Sequence, residues 1–357
     1  MVMADHITSR QSQVIEWLRF PLAVAVVLLH AGEGTTGGMY DADFSGTLRI
    51  VLSQGICRIA VPVFFFFSGF LFFTGLREWD TQVWLEKIKK RARTLLLPYI
   101  LWNILALLIG FGYGWLRARV NPEVVPLSLL ETLQRNGGLN IFWASTFSCP
   151  INYPLWFIRD LIIFVAMTPG IFFLVRKCRL WGVAALFIAF GLTGSRDLEG
   201  LFFFILGAYF QLSGIDFLRV FRRFKWPAYL LSLAGIVLIA YTWYTPEIFK
   251  YVKYLFVFVG AVAVINLAAA LAERGWAKPH PFLTASSFFV FASHGILILH
   301  DFAQYITMRI LPFGSVAGKC LALFAKATLA VGICLCLFAL MKKWTPKTLG
   351  VLTGNRS

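Results

Sequence analysis

The chain has 357 residues, of which 59% are hydrophobic and only 14% charged, against about 25% in a usual water-soluble chain. A mean hydropathy of +0.75 would force a soluble domain to expose much of its apolar surface, so the composition excludes that class and points to the bilayer as solvent. The net charge of +16 would suggest nucleic acid in a soluble protein, but the basic residues fall in short blocks between apolar runs. They therefore mark topology first and attraction to anionic lipid or an anionic cofactor second, and no nucleic-acid partner is expected.

A membrane span needs about 20 mostly apolar residues. Such runs predict helices near 14–32, 56–75, 95–114, 154–175, 181–193, 199–214, 227–244, 250–272, 282–299 and 319–341. The fifth and sixth are short, and the polar link 193–200, TGSRDLEG, is all that separates them. Outer loops are expected at 33–55 and 115–153. With the N-terminus inside, the inner segments hold 20 Lys and Arg and the outer segments nine. That bias predicts an all-α polytopic bundle of about ten transmembrane helices with both termini cytoplasmic. It is read as one transmembrane domain over 1–345 followed by a short cytoplasmic tail, 346–357. Many of the 12 Trp and 36 Phe lie at the ends of the apolar runs, which fits an aromatic belt. The six cysteines form no framework and read as small hydrophobes.

Ionisable side chains inside hydrocarbon each need a reason. The first helix, VIEWLRFPLAVAVVLLHAG, carries Glu16, Arg19 and His30. Arg19 and His30 are 11 residues apart, about three turns, so they share one face at about 16 Å separation. Glu16, one turn before Arg19, is placed to pair with it. His30 is either a packing residue bonded to a backbone carbonyl or a general base in a polar cavity. In the second helix Ser68 and Gly69 interrupt an aromatic run, which permits close helix approach or opens a cavity wall.

The block WLEKIKKRARTLLLPY brings Lys87, Lys89, Lys90, Arg91 and Arg93 just before Pro98 and Tyr99. It is either a positive-inside anchor or a site for an anionic cofactor, since arginine pairs with phosphate in a fork geometry. Arg159 and Asp160 open the fourth span, and His294 lies within the ninth with His300 at its outer end. The chain carries no Walker loop, dinucleotide fingerprint or HExxH, and no His/Cys cluster has metal-site spacing, so no metal is expected.

Taken together and in order, these residues resemble the acyltransferase 3 family, integral membrane acyltransferases of bacteria that modify surface glycans and related acceptors. The resemblance covers nearly the whole chain. It rests on Arg19 and His30 behind Glu16, on FFFFSGFLF with Ser68 and Gly69, and on KKRARTLLLPY with Arg91, Arg93, Pro98 and Tyr99. LWFIRDL around Trp156 and FFVFASHGIL with His294 complete it. The resemblance implies about ten core helices in the bacterial inner membrane and an acyl-CoA co-substrate, commonly acetyl-CoA. It implies a catalytic role for His30 and a donor-binding role for Arg19, Arg91 and Arg93, with Lys89 and Lys90 beside them. The acceptor expected is a hydroxyl of a saccharide or lipid-linked saccharide. A carboxylate should orient the imidazole: Glu33, Asp41 and Asp43 are nearest in sequence, Asp160 is an alternative, and Glu33 is the first choice. The competing class is a transporter or flippase of a glycan, lipid or small anion, which would use the buried charges as a pathway and show no CoA turnover.

Overall fold

The computed structural model describes residues 7–32, 42–76, 78–121, 150–311 and 314–355, and these are helical almost throughout. The helices are α1 (Ser9–Gly32), α2 (Phe44–Ile50), α3 (Ala60–Phe72), α4 (Thr81–Arg91) and α5 (Leu97–Val120). After them come α6 (Trp156–Ala166), α7 (Thr168–Thr193), α8 (Arg196–Leu212), α9 (Phe217–Arg223) and α10 (Lys225–Thr242). The last are α11 (Pro246–Glu273), α12 (Pro281–Ser293), α13 (Gln304–Ile310), α14 (Val316–Trp344) and α15 (Pro346–Thr353). Among the described residues, seven helical stretches are long and apolar enough to cross a membrane, or up to nine if each of two bent pairs is one crossing.

The chain enters its second crossing earlier than the apolar run suggests. A loop was expected over 33–55, yet helix begins at Phe44 and runs through wider and tighter turns into α3. Asp43 makes the start: its carboxylate accepts from the Gly46 N–H at 3.0 Å and from the Ser45 hydroxyl at 2.6 Å. That satisfies a donor the first turn would otherwise leave open. Likewise α5 continues to Val120, beyond the predicted end of its apolar run. The link predicted between the fifth and sixth spans is a two-residue turn. Gly194 adopts φ 65°, ending α7, and the Ser195 hydroxyl accepts from the Leu198 N–H to start α8. The Tyr254 hydroxyl donates to the Gly194 carbonyl and pins that turn to α11.

The centre is aromatic, and glycine sets its closest crossing. A Cβ on Gly69 would lie 1.9 Å from the Phe204 carbonyl oxygen, and one on Gly207 would lie 2.0 Å from that of Phe66. Small residues let helix backbones meet directly where lipid supplies no hydrophobic drive for association. α3 and α8 cross on this pair, which fixes the ring ladder of Phe65, Phe66 and Phe70 around them. α1 threads the middle, packing on α11, α12 and α14. The C-terminal α15 docks on α5, where the Trp102 indole N–H donates to the Leu352 carbonyl at 2.9 Å.

Candidate active site

His30 lies two residues from the end of α1 and is 7% exposed. Two aromatic side chains from distant parts of the chain close on it. The His294 ring stacks on it with centroids 5.5 Å apart, and the Tyr153 ring stands edge-on at 4.9 Å. The Tyr153 hydroxyl is 3.1 Å from His300 Nε2.

Each partner is held by backbone geometry. Asn152 fastens the segment before α6: its N–H donates to Asn103 Oδ1 of α5 at 3.1 Å, and its side-chain amide donates to the Ala292 carbonyl of α12 at 2.7 Å. Gly295 lets Tyr153 and Pro154 come close, since a Cβ there would lie 2.7 Å from Pro154 Cγ and 3.1 Å from Tyr153 Cε1. α12 then loses its regular winding, with Leu297 at φ 57°, a costly conformation for a side chain branched beyond Cβ. His294 and His300 are six residues apart and would lie about 120° off one another on a regular helix. The break brings both rings against Tyr153, with centroids at 6.5 and 6.0 Å.

The proton on His294 can be placed. Its Nδ1 is 3.1 Å from the Val290 carbonyl, which only accepts, so Nδ1 carries the hydrogen. Nε2 is left as a buried acceptor without a hydrogen-bond partner among the described residues. Such an atom is expensive in a packed interior and fits a position kept for a donor from outside the chain.

The N-terminal half of α1, at Ile15 and Arg19, opens on a cavity of about 200 Å³. Arg19 and Arg91 share its wall with Ser68, Phe157, Ser287 and Phe291. The two guanidinium groups are near enough to repel each other, and Glu16 partly offsets Arg19. At the far end Phe157 and Phe291 touch ring to ring at 5.7 Å, and Phe291 lies 6.3 Å from the His294 ring. The cavity therefore ends on an aromatic wall whose other side is the histidine pair.

Of the expected donor residues, Arg19 and Arg91 come together on the cavity, whereas Lys89, Lys90 and Arg93 are exposed and do not line it. Lys89 and Lys90 ride on α4, and Arg93 lies in the wide turn that follows. Ser68 faces the cavity while Gly69 makes the helix crossing, so each residue of that pair takes one of the two roles expected. Among the candidate carboxylates, Asp160 accepts from Arg159 Nε at 2.7 Å, and Asp43 caps α2 and pairs with Lys319 at 3.2 Å. Glu33 and Asp41 lie outside the described residues. Sequence reading passed over Tyr153, Asn152 and Asn103. The signal for Tyr153 is Pro154 beside it, since proline favours the first turn of a helix, and Tyr153–Leu155 form the tight turn that leads into α6.

A membrane bundle with a cationic cavity on one half of a helix and paired imidazoles on the other has the layout of an embedded group-transfer enzyme. The family model described as Acyltransferase domain matches residues 13–341, and the chain belongs to that family, the acyltransferase 3 proteins. It is thus an acyltransferase, a multi-pass protein of the inner membrane. It is similar to the succinoglycan biosynthesis protein ExoH of Rhizobium meliloti (strain 1021), with 24% identity over 364 residues, covering 96% of this chain and 92% of that protein. No solved structure matches the chain.

Proposed function

We propose that the enzyme transfers an acetyl group from acetyl-CoA to a hydroxyl of a saccharide or lipid-linked saccharide. The observation that carries this reading is the single line from Arg19 and Arg91, through the cavity, to Phe291 against the His294 ring. At about 200 Å³ the cavity is smaller than the roughly 300 Å³ or more that encloses a drug-sized ligand, so it suits an extended arm. The phosphates of CoA stay at the mouth on Arg91 and Arg19, with Lys89, Lys90 and Arg93 making the approach electropositive. The pantetheine arm runs past Ser68 toward Phe157 and Phe291. The acceptor arrives from the opposite, histidine end.

The acceptor hydroxyl oxygen attacks the thioester carbonyl carbon, and its proton passes to His30. The C–S bond then breaks, and the CoA thiolate leaves with the proton His30 returns. General-base help of this kind contributes about a hundredfold or more. Glu33 orients the imidazole and stabilises its charged form. His294 Nε2 accepts a hydrogen bond from the sugar and so positions it, a use for the atom the fold leaves unpartnered. The saccharide acceptor draws support from the relative, whose name ties it to biosynthesis of a glycan.

The same reading takes ten crossings with both termini cytoplasmic, over a single transmembrane domain at 1–345 and a tail at 346–357. The tenth comes from Arg179, whose φ 48° and ψ −131° break α7 into two legs. Arg176, Lys177 and Arg179 then form a basic inner turn, as the positive-inside rule favours.

The test is purified protein in nanodiscs with labelled acetyl-CoA and a panel of saccharides. Label should appear on a saccharide hydroxyl, and substituting succinyl-CoA identifies the acyl group. Failure to bind any acyl-CoA would sink the proposal.

A further inference from the structure

A second cavity, of about 270 Å³, lies at the start of α1, on the other side of that helix. Arg10 lines it and Arg19 lines the first. Nine residues of α-helix separate these two by about 900°, which places them on opposite faces. The two cavities share no lining residue, so a ligand in the second is not an extension of one in the first.

The charges do not balance. Arg10, Arg219, Arg222 and Lys225 line the cavity against Asp216 and Glu273. Both carboxylates are already engaged. Glu273 accepts from Arg10 at 3.0 Å and from Arg222 at 3.3 Å. Asp216 accepts from the Gln11 amide at 2.9 Å and from the Leu218 N–H at 3.0 Å, which caps α9. Arg219 and Lys225 have no carboxylate partner among the described residues. Two cations on one concave wall call for an anion from outside the chain.

The setting says which anion. The chain bends by 111° between α8 and α9, so α9 lies across the end of the bundle. It buries Phe217, Leu218 and Phe221 and exposes Arg219, Arg222 and Arg223, the arrangement of a helix lying in a membrane interface. Asn266 fixes it there, its amide donating to the Phe221 carbonyl at 2.9 Å. From the cavity rim, α10 runs away with Trp226, Leu230, Leu231 and Leu233 exposed, and it buries only Ala228, Gly235 and Ile239. The cationic cavity thus opens at headgroup depth beside an apolar helix face that has room for acyl chains. A soluble phosphate would use the first feature and have no use for the second.

We propose that this cavity binds the phosphodiester of one anionic phospholipid, with Arg219 and Lys225 neutralising the phosphate and the acyl chains lying along α10. Basic pockets between transmembrane helices have this use, and each cation near the surface is worth about fivefold in affinity. The site belongs to the membrane anchorage of the protein and does not depend on the acyl-transfer reading.

The experiment is native mass spectrometry and thermal melting of the full chain with dioctanoyl phosphatidylglycerol. Dioctanoyl phosphatidylcholine, glycerol 3-phosphate and inorganic phosphate are the comparison probes. Phosphatidylglycerol should add one retained equivalent and raise Tm, while the other three leave both unchanged. The variant Arg219→Gln/Lys225→Gln should weaken that binding about 25-fold, whereas Lys347→Gln in α15 should leave it alone. Because both substituted residues sit on the surface end, the melting of the variant without added lipid checks its fold. Equal retention of phosphatidylcholine, equal protection by glycerol 3-phosphate or phosphate, or unchanged affinity in the folded double variant would each overturn the proposal.

Discussion

The two halves of α1 are built in opposite ways. At the His30 end, the imidazole stacks on His294, Asn152 ties its segment to two helices, and Gly295 admits Tyr153 and Pro154 to a contact that an added Cβ would push apart. At the Arg19 end, a cavity is walled by two like charges that repel each other. One end is held by fixed short contacts and the other waits for a ligand to neutralise it. The difference teaches where precision is needed. Bond making tolerates little displacement, whereas a polyphosphate is captured by charge and can find its place.

The largest expected effect comes from His30→Ala, which should lower kcat by about a hundredfold or more while leaving the donor Kd and Tm in place. Arg91→Ala should do the reverse, raising the donor Kd by roughly tenfold to a hundredfold, the value of a charge-assisted hydrogen bond, with little change in kcat at saturation. Equal effects of the two variants on kcat and Kd would erase the contrast between the ends. Gly295→Ala sharpens it. The added Cβ pushes Pro154 and Tyr153 away from the histidines, so kcat should fall about tenfold with donor binding intact. Removing Lys89, Lys90 and Arg93 together should slow donor capture by only a few fold, and raised salt should abolish the difference.

The smallest effect concerns the cap of α2. The Ser45 hydroxyl, the Gly46 N–H and Lys319 hold the Asp43 carboxyl down at about 2, against an ordinary 3.8. Its folded value lies below its unfolded one, so its contribution is full above about pH 4 and is lost as pH falls toward 2. Asp43→Asn should remove that acid-dependent part of the melting curve and leave transfer at neutral pH unchanged.

Among the described residues, the apolar runs were enough to find every long helix, because hydrocarbon imposes a length and a composition that the sequence displays directly. Arg19, His30 and Arg91 were legible for the same reason, as charges that a membrane segment does not carry idly. What stayed hidden depends on contacts between distant segments. Tyr153 meets His30 only because Gly295, over 140 positions away, lacks a side chain. The unwinding at Ile296 and Leu297 follows Gly295 directly, but one glycine inside an apolar run does not by itself mark a break in the helix. The early start at Phe44 turns on one carboxylate, and its run reads as loop because Arg49, Ser53 and Gln54 interrupt the apolar pattern.

The division of labour along α1 is tested most directly by measuring acetyl-CoA binding and label transfer in the same nanodisc sample for wild type, His30→Ala and Arg91→Ala. The account predicts that His30→Ala binds donor normally and transfers label about a hundredfold or more slower, while Arg91→Ala binds weakly and transfers when donor is forced to saturation. Full transfer by His30→Ala, or undiminished binding by Arg91→Ala, would contradict it.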